Sequence, residues 1–425
     1  MGYVVPKIRK IFGEWRPPGD KSISHRALML SALATGESCI RHCLRAGDIH
    51  STLEALRGLG VSIQVDGETA VVRGVGLQGL KNPSHIIDVG NSGTTLRLLS
   101  GRLSAQGFSS VLPGDTSLRN RPMGPLIRVL KQMGAQIKAV NECAPISIRA
   151  CVHPLSAVKV EFPFPSAQFK SALLLAGLYG DGVTEIKEMV NTRDHTERLL
   201  KLFGVPVSRE EGRIRLEGMR GGNFPARSIE VPGDISAAAF MMTAALLHSD
   251  ASINIQAVGL NTTRTGFLDI IQMMGAQVAV DPMLQTDPWQ EPRGDVSVGS
   301  SRLQGVRVSG ELTIRAIDEI PLVVLLATQA VGQTLVSDAA VLRYKESDRL
   351  RVLARELGQM GASIQETVDG LVIEGPTRLK GGMVRSYHDH RIAMTLVLAG
   401  MISDGETEVD EIDSVAISFP GFLEA

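Results

Sequence analysis

Along the chain, a polar residue suited to capping repeatedly stands before a run of mostly apolar positions. Asp20 precedes KSISHRALMLSAL, Asn91 precedes SGTTLRLLSGRL, and Ser166 precedes AQFKSALLLAGL. Asp234 precedes ISAAAFMMTAAL, Asp318 precedes EIPLVVLLATQA, and Asp389 precedes HRIAMTLVLAGM. A side-chain oxygen at such a position satisfies an N–H that the first helical turn leaves unbonded, so the pattern predicts six capped helices. Gly36, Gly107, Gly182, Gly332 and Gly405 close their runs, and Asp250 closes the fourth. Short β-like segments follow: Ser38–Ile40, Ser109–Val111, Val183–Ile186, Ser252–Ile255, Thr334–Val336 and Thr407–Val409. Most units add a second helix ending at glycine, as in LEALRGLG and IRVLKQMG, and then a strand pair such as VSIQVDGETAVVRG. The repeat reads β-α-β-α-β-β over about 70 residues, too long for a solenoid and suited to duplicated subdomains.

Pro17-Pro18-Gly19 lies before the first cap and Val231-Pro232-Gly233 before the fourth. Two chain crossings at these linkers predict two lobes of three units each. Residues 1–19 with 233–425 form lobe one, 20–232 form lobe two, and an active site is expected in the cleft between them.

Composition narrows the function. The 425 residues carry 44 Lys+Arg against 45 Asp+Glu, a net charge of −1 that argues against a general nucleic-acid or membrane-surface binder. Aromatics make up only 4%, too few for base-stacking platforms. Apolar runs such as Pro321–Ala327 fall short of the ~20 residues that span a bilayer. The first twenty residues hold no apolar stretch of signal-peptide length, which points to the cytoplasm. The four cysteines lie at no metal or disulfide-framework spacing and read as free thiols.

Against that balance, cations crowd the unit openings: Lys21, Arg26, Arg97, Arg121, Lys170, Arg193, Lys345, Arg349 and Arg391. Any one alone reads as a solvated surface charge. Gathered at helix starts, where N–H groups and the positive dipole end favour anions, they point to phosphate or carboxylate ligands. Asp318 and Glu346 stand among them, either as plain capping and ion-pairing acids or as proton-transfer groups. Gly74–Gly79 matches GxGxxG, but Lys81-Asn82-Pro83 follows where a helix should start, so it reads as a turn. No P-loop and no HExxH occur, and His388-Asp389-His390 reads as a hydrogen-bonded pair around a cap rather than a metal site.

The stretches PGDKSISHRALML, VGNSGTTLRLL, LPGDTSLRNRPM, PSAQFKSALLLAGL, RYKESDRL and HDHRIAM resemble the 3-phosphoshikimate 1-carboxyvinyltransferase (5-enolpyruvylshikimate-3-phosphate synthase) family across the whole chain. The resemblance implies a two-lobe inverse α/β barrel of six βαβαββ units. It implies transfer of the enolpyruvyl group of phosphoenolpyruvate to the 5-hydroxyl of 3-phosphoshikimate, with release of phosphate, on the route to chorismate and the aromatic amino acids. Small-molecule substrates, a cytoplasmic monomer, and no cofactor, metal, nucleic acid or membrane partner follow from it.

By the same resemblance, Lys21, Ser22, Arg26, Ser166, Ala167, Gln168 and Arg193 hold 3-phosphoshikimate. Lys21, Gly93, Arg121, Gln168, Arg349 and Arg391 hold phosphoenolpyruvate. Asp318 and Lys345 stand near the 5-hydroxyl, Glu346 is the proton-transfer acid, and Lys21, Asp318 and Glu346 are the catalytic set. Ile417 departs from the pattern, standing where many members carry a Lys. The patterns at Gly19–Ser22, Ser166–Lys170, Arg193–Glu197 and Asn261–Arg264 are similar to a glyphosate-tolerant class II. Gly93 lacks the methyl that some tolerant members carry there, so an intermediate tolerance is expected. Two alternatives stay open: the sister transferase acting on UDP-N-acetylglucosamine, which has a Cys where this chain has Thr116, and a non-catalytic binding protein that keeps the repeat.

Overall fold

The computed structural model describes residues 2–8, 10–219 and 221–425. The six apolar runs form the helices Lys21–Leu33, Gly93–Leu103, Ala167–Gly177, Ile235–Leu247, Ile320–Gln329 and His390–Ile402. Several are apolar on every face, as in ISAAAFMMTAALL, and such helices belong in a core. Asp20, Ser166, Asp234 and Asp389 cap as the pattern predicts, accepting from the N–H groups of Ile23, Phe169, Ser236 and Arg391.

Two of the expected caps are corrected. In the second helix the cap is Ser92, whose Oγ accepts from Thr95 N at 3.2 Å, while Asn91 turns its amide to Asp115 and Arg121. In the fifth the N-cap position falls on Glu319, without a side-chain cap bond, and Pro321 starts the first turn as its locked φ allows. Asp318 sends its carboxylate to cations instead. Both departures leave a polar side chain bonded to other side chains and not to the helix start.

One unit shows the repeat complete in chain order: Lys159–Phe162, Ala167–Gly177, Val183–Glu188, His195–Leu202, Val207–Glu210 and Arg213–Glu217. Its first strand pairs in parallel with Val183–Glu188 (Val160 opposite Ile186), and the hairpin adds antiparallel strands (Ile186 opposite Ile214). Two other units borrow their first strand from elsewhere in the chain. Ser228–Glu230 pairs with Thr35–Arg41, and Ile11–Trp15 pairs with Ala251–Gly259, both in parallel.

The chain divides into two compact units. Unit one comprises Met1–Pro18, Pro232–Leu284 and Pro292–Ala425; unit two comprises Gly19–Val231 and Gln285–Glu291. The seven residues from Gln285 to Glu291 were expected with lobe one, and the structure assigns them to unit two. The helix His195–Leu202 holds them there: Arg198 donates to the carbonyls of Pro288 and Gln290, and Lys201 stacks its ammonium 4.0 Å from the Trp289 ring centre.

Each unit has its own core. In unit one the helices Ile235–Leu247, Ile320–Gln329 and His390–Ile402 pack on one another. In unit two Gly93–Leu103 packs on Ala167–Gly177, and Gly101 permits the approach: a Cβ there would lie 2.0 Å from the Ala172 carbonyl oxygen. Among the described residues, no helix is long and apolar enough to cross a membrane.

Candidate active site

In unit two, the helix starts present the first group of predicted residues. Lys21 opens the first helix and its Nζ lies 3.1 Å from Asp48, a partner on the neighbouring Gly47–Gly58 helix. Arg26, one turn on, is buried and donates to the Ser22 carbonyl, to Thr196 Oγ1 and to Ser171 Oγ, each at 2.8 Å. Burial and the charge of Arg193 lower its pKa to about 10 against the pull of Glu197, Asp20 and Glu291, so it stays cationic at neutral pH. Arg193 Nη1 stands 3.5 Å from Ser22 Oγ. Ser171 links back to the Ala167 carbonyl at 2.7 Å, which joins the Ser166–Gln168 segment to this cluster.

Gly93 sits at the start of the second helix, where Arg97 and Arg121 converge. Arg97 Nη1 donates to Gln168 Oε1 at 2.5 Å, Gln168 Nε2 donates to Thr94 Oγ1 at 2.9 Å, and Arg121 Nη2 donates to Asn91 Oδ1 at 2.9 Å. A hydroxyl relay ties this loop to the Lys21 helix. Thr95 Oγ1 gives its hydrogen to Ser92 Oγ (2.7 Å), so Thr52 donates to Thr95 (2.7 Å) and His25 Nδ1–H donates to Thr52 (2.7 Å). Burial, then the charges of Lys21 and Arg26, push the His25 pKa well below its ordinary value, so the ring is neutral.

Lys170, one of the predicted cations, is placed differently. Its ammonium is buried between Glu188 (3.1 Å) and Glu197 (2.8 Å), and Arg209 closes the group 2.9 Å from Glu188. These carboxylates brace it within unit two.

In unit one the second group assembles around Asp318. Lys345 Nζ lies 3.5 Å from its Oδ1, Arg349 Nη1 4.0 Å from the same oxygen, and Arg391 Nη2 3.9 Å from Oδ2. Arg391 also donates to the Asp318 carbonyl at 2.9 Å. Glu346 accepts from Arg349 Nη2 at 2.7 Å. Asp389 grips Arg349 through both oxygens, at 2.8 and 3.1 Å, while capping the helix that carries Arg391. Burial opposes the Arg349 charge, but Asp389 and Glu346 hold its pKa above the ordinary value. The same guanidinium outweighs burial at Asp389 and keeps that carboxyl below its usual range. Acids and cations here are interleaved, the arrangement that proton transfer beside a multiply charged anion requires.

Comparison with known proteins decides the family. The family model described as EPSP synthase (3-phosphoshikimate 1-carboxyvinyltransferase) matches residues 5–425. The chain belongs to the EPSP synthase family. It is 44% identical over 425 residues to the 3-phosphoshikimate 1-carboxyvinyltransferase of Citrifermentans bemidjiense, covering 100% of this chain and 98% of that protein. It is 43% identical over 409 residues to the protein of the same name from Bacillus thuringiensis, covering 96% and 94%. Among solved structures, an EPSP synthase from Acinetobacter baumannii aligns with a TM-score of 0.87 at 41% identity, over 99% of this chain and 96% of that one. The enolpyruvyl transferase NikO from Streptomyces tendae aligns at 0.80 with 17% identity over 99% and 95%, a likeness of fold.

The sequence reading gave no site role to Asp48, Asn91, Ser236, Arg264 or Glu319, each of which lies beside a predicted residue, nor to Glu291. Asp48 and Thr52 share one helix face, a spacing that could have flagged that helix. Glu291 could not be found that way: it lies 96 positions from His195, whose Nδ1 stands 2.7 Å from its carboxylate.

Proposed function

We propose that this chain transfers the enolpyruvyl group of phosphoenolpyruvate to the 5-hydroxyl of 3-phosphoshikimate and releases phosphate, with the residues of both clusters serving that one reaction. The observation that carries the reading is the unit-one cluster, where Asp318 and Glu346 are each held by cations that a phosphate or carboxylate also needs.

In this reading Ser22, Arg26, Ser166, Ala167, Gln168 and Arg193 bind 3-phosphoshikimate. Lys21, Gly93, Gln168, Arg121, Arg349 and Arg391 surround phosphoenolpyruvate. With Ile417 in place of a Lys, the two unit-one arginines carry that unit's share of its charge. Asp318, supported by Lys345, takes the proton from the 5-hydroxyl as its oxygen bonds to C2 of phosphoenolpyruvate. Glu346 in its acid form gives a proton to C3, and Lys21 stabilises charge. The tetrahedral adduct then loses a proton from C3 back to the Glu346 carboxylate as the C2–O bond to phosphate breaks, and the arginines neutralise the departing anion. The four sequence patterns similar to class II support reduced glyphosate sensitivity, and free thiols support a reducing, cytoplasmic setting.

The test is proton exchange. With both substrates in D2O, the native enzyme should place deuterium in the methylene of recovered phosphoenolpyruvate and of product. Glu346→Gln should lose this exchange while still binding 3-phosphoshikimate. Exchange at the native rate in that variant would remove Glu346 from the role.

A further inference from the structure

A buried hydroxyl on the first turn of the Ile235–Leu247 helix is shared by three charged side chains. Ser236 Oγ accepts from Arg264 Nη2 at 2.8 Å and from Arg391 Nη2 at 3.2 Å, and it donates to Glu319 Oε1. A hydroxyl has one hydrogen and two lone pairs, so these contacts use its full capacity. Guanidinium groups only donate, which leaves Glu319 as the one acceptor among the three. The direction of every bond at this hub is therefore fixed.

Glu319 is wholly buried and makes no cap bond to its helix. Its Oε1 lies 3.6 Å from Arg264 and 4.0 Å from Arg391, and its Oε2 has no hydrogen-bond partner among the described residues. A buried carboxylate with one oxygen left unbonded is costly, and capping cannot account for it. What it supplies is a countercharge where two guanidinium groups converge on one oxygen. Asp318 Oδ2 lies 4.0 and 3.9 Å from the same two groups and Asp234 Oδ1 lies 3.8 Å from Arg264, so Glu319 shares that task with them and relieves Asp318 of part of it at Arg391.

We propose that Glu319 is a positioning residue for phosphoenolpyruvate: through Ser236 it fixes the Arg391 guanidinium, and it lets Asp318 keep its reacting role. The inference rests on the reading of Arg391 as a phosphoenolpyruvate ligand. Arg264 completes the hub, which gives the Asn261–Arg264 pattern a physical purpose.

Three single variants and one double variant test it by steady-state phosphate release with each substrate varied in turn. Glu319→Gln keeps an acceptor oxygen but removes the charge, and should raise the phosphoenolpyruvate KM about tenfold or more, the scale of a lost charge-assisted hydrogen bond. The 3-phosphoshikimate KM should stay within about twofold. Ser236→Ala, a minimal truncation that still reports on the hub should the Gln variant fold poorly, should shift the same constant. The double variant should be no worse than the more affected single, because both act through one hydroxyl. An unchanged phosphoenolpyruvate KM in folded Ser236→Ala or Glu319→Gln, with only the melting temperature altered, overturns the proposal. Arg391→Lys separates the two levels: if it alone leaves that KM unchanged, the reading of Arg391 has failed and the inference falls with it. If it raises the KM while the other two do not, only the inference fails.

Discussion

Adding one methyl at Gly93 probes how tightly the proposed anion site of unit two is held. A Cβ built there lies 2.9 Å from Arg97 Nη1, 3.2 Å from Arg121 Nη1 and 3.7 Å from Leu118 Cδ1. Ordinary contact begins at 3.4 Å, so Arg97 must withdraw by about 0.5 Å and Arg121 by about 0.2 Å. Neither guanidinium moves without loss. Arg97 is bonded to Gln168 and lies over the Phe169 ring at 5.7 Å, while Arg121 is bonded to Asn91 and stands 3.3 Å from Ser117 Oγ. Overpacking of this kind costs about 1–3 kcal/mol, or roughly 5- to 150-fold in affinity. We therefore expect Gly93→Ala to raise the phosphoenolpyruvate KM within that range, and to weaken inhibition by glyphosate, its competitor, at least as much. The assay is phosphate release at saturating 3-phosphoshikimate, with glyphosate titrated at several phosphoenolpyruvate concentrations. Unchanged KM and unchanged inhibition would mean that both arginines yield without consequence, and would refute the argument. Tight competitive inhibition of the native enzyme, well below its phosphoenolpyruvate KM, would sink the class II reading.

Changing Asp318 to Ala, or Glu346 to Gln, should lower turnover about 100-fold or more with little change in melting temperature; near-native turnover in a destabilised protein would return both acids to a structural role. His25 titrates below its ordinary value in the folded state, so the unfolded chain binds its proton first as pH falls. Stability should therefore drop from about pH 6.5 downward, by up to about 1.4 kcal/mol per pH unit from this group. His25→Asn, which keeps a donor toward Thr52, should flatten the urea midpoint between pH 7 and 5; an unaltered slope would contradict the assignment. Glu291→Ala leaves the buried His195 without its acceptor and should cost about 1–3 kcal/mol in unfolding free energy, read by urea denaturation. No loss there would mean that the Gln285–Glu291 segment is held by Arg198 and Lys201 alone.

Periodicity was enough to read the repeat. Capping residues, apolar runs and closing glycines are local signals, and they locate six helices and the strands that follow them. Its errors are also local in origin. Asn91 and Asp318 are good caps by residue type, yet each stands where a nearby guanidinium competes for its oxygens, and the charge-assisted contact prevails over a cap worth about 1 kcal/mol. Lys170 illustrates the reverse case. Spacing alone cannot tell a cation facing a ligand from one neutralised by Glu188 and Glu197, because Glu188 arrives on a different element. Glu291 and Glu319 were not legible at all: their partners come from the chain's three-dimensional path, and neither lies in a motif. The resemblance supplied the named residues, and the structure added the carboxylates that hold them.

The central claim is that 3-phosphoshikimate and phosphoenolpyruvate react on this protein. Continuous detection of inorganic phosphate, with the purified chain and each substrate supplied alone and together, tests it most directly. We predict release only when both are present, in equal amount to the enol ether product, and none when UDP-N-acetylglucosamine replaces 3-phosphoshikimate. Release with the nucleotide sugar, or none with the two named substrates, would contradict the account.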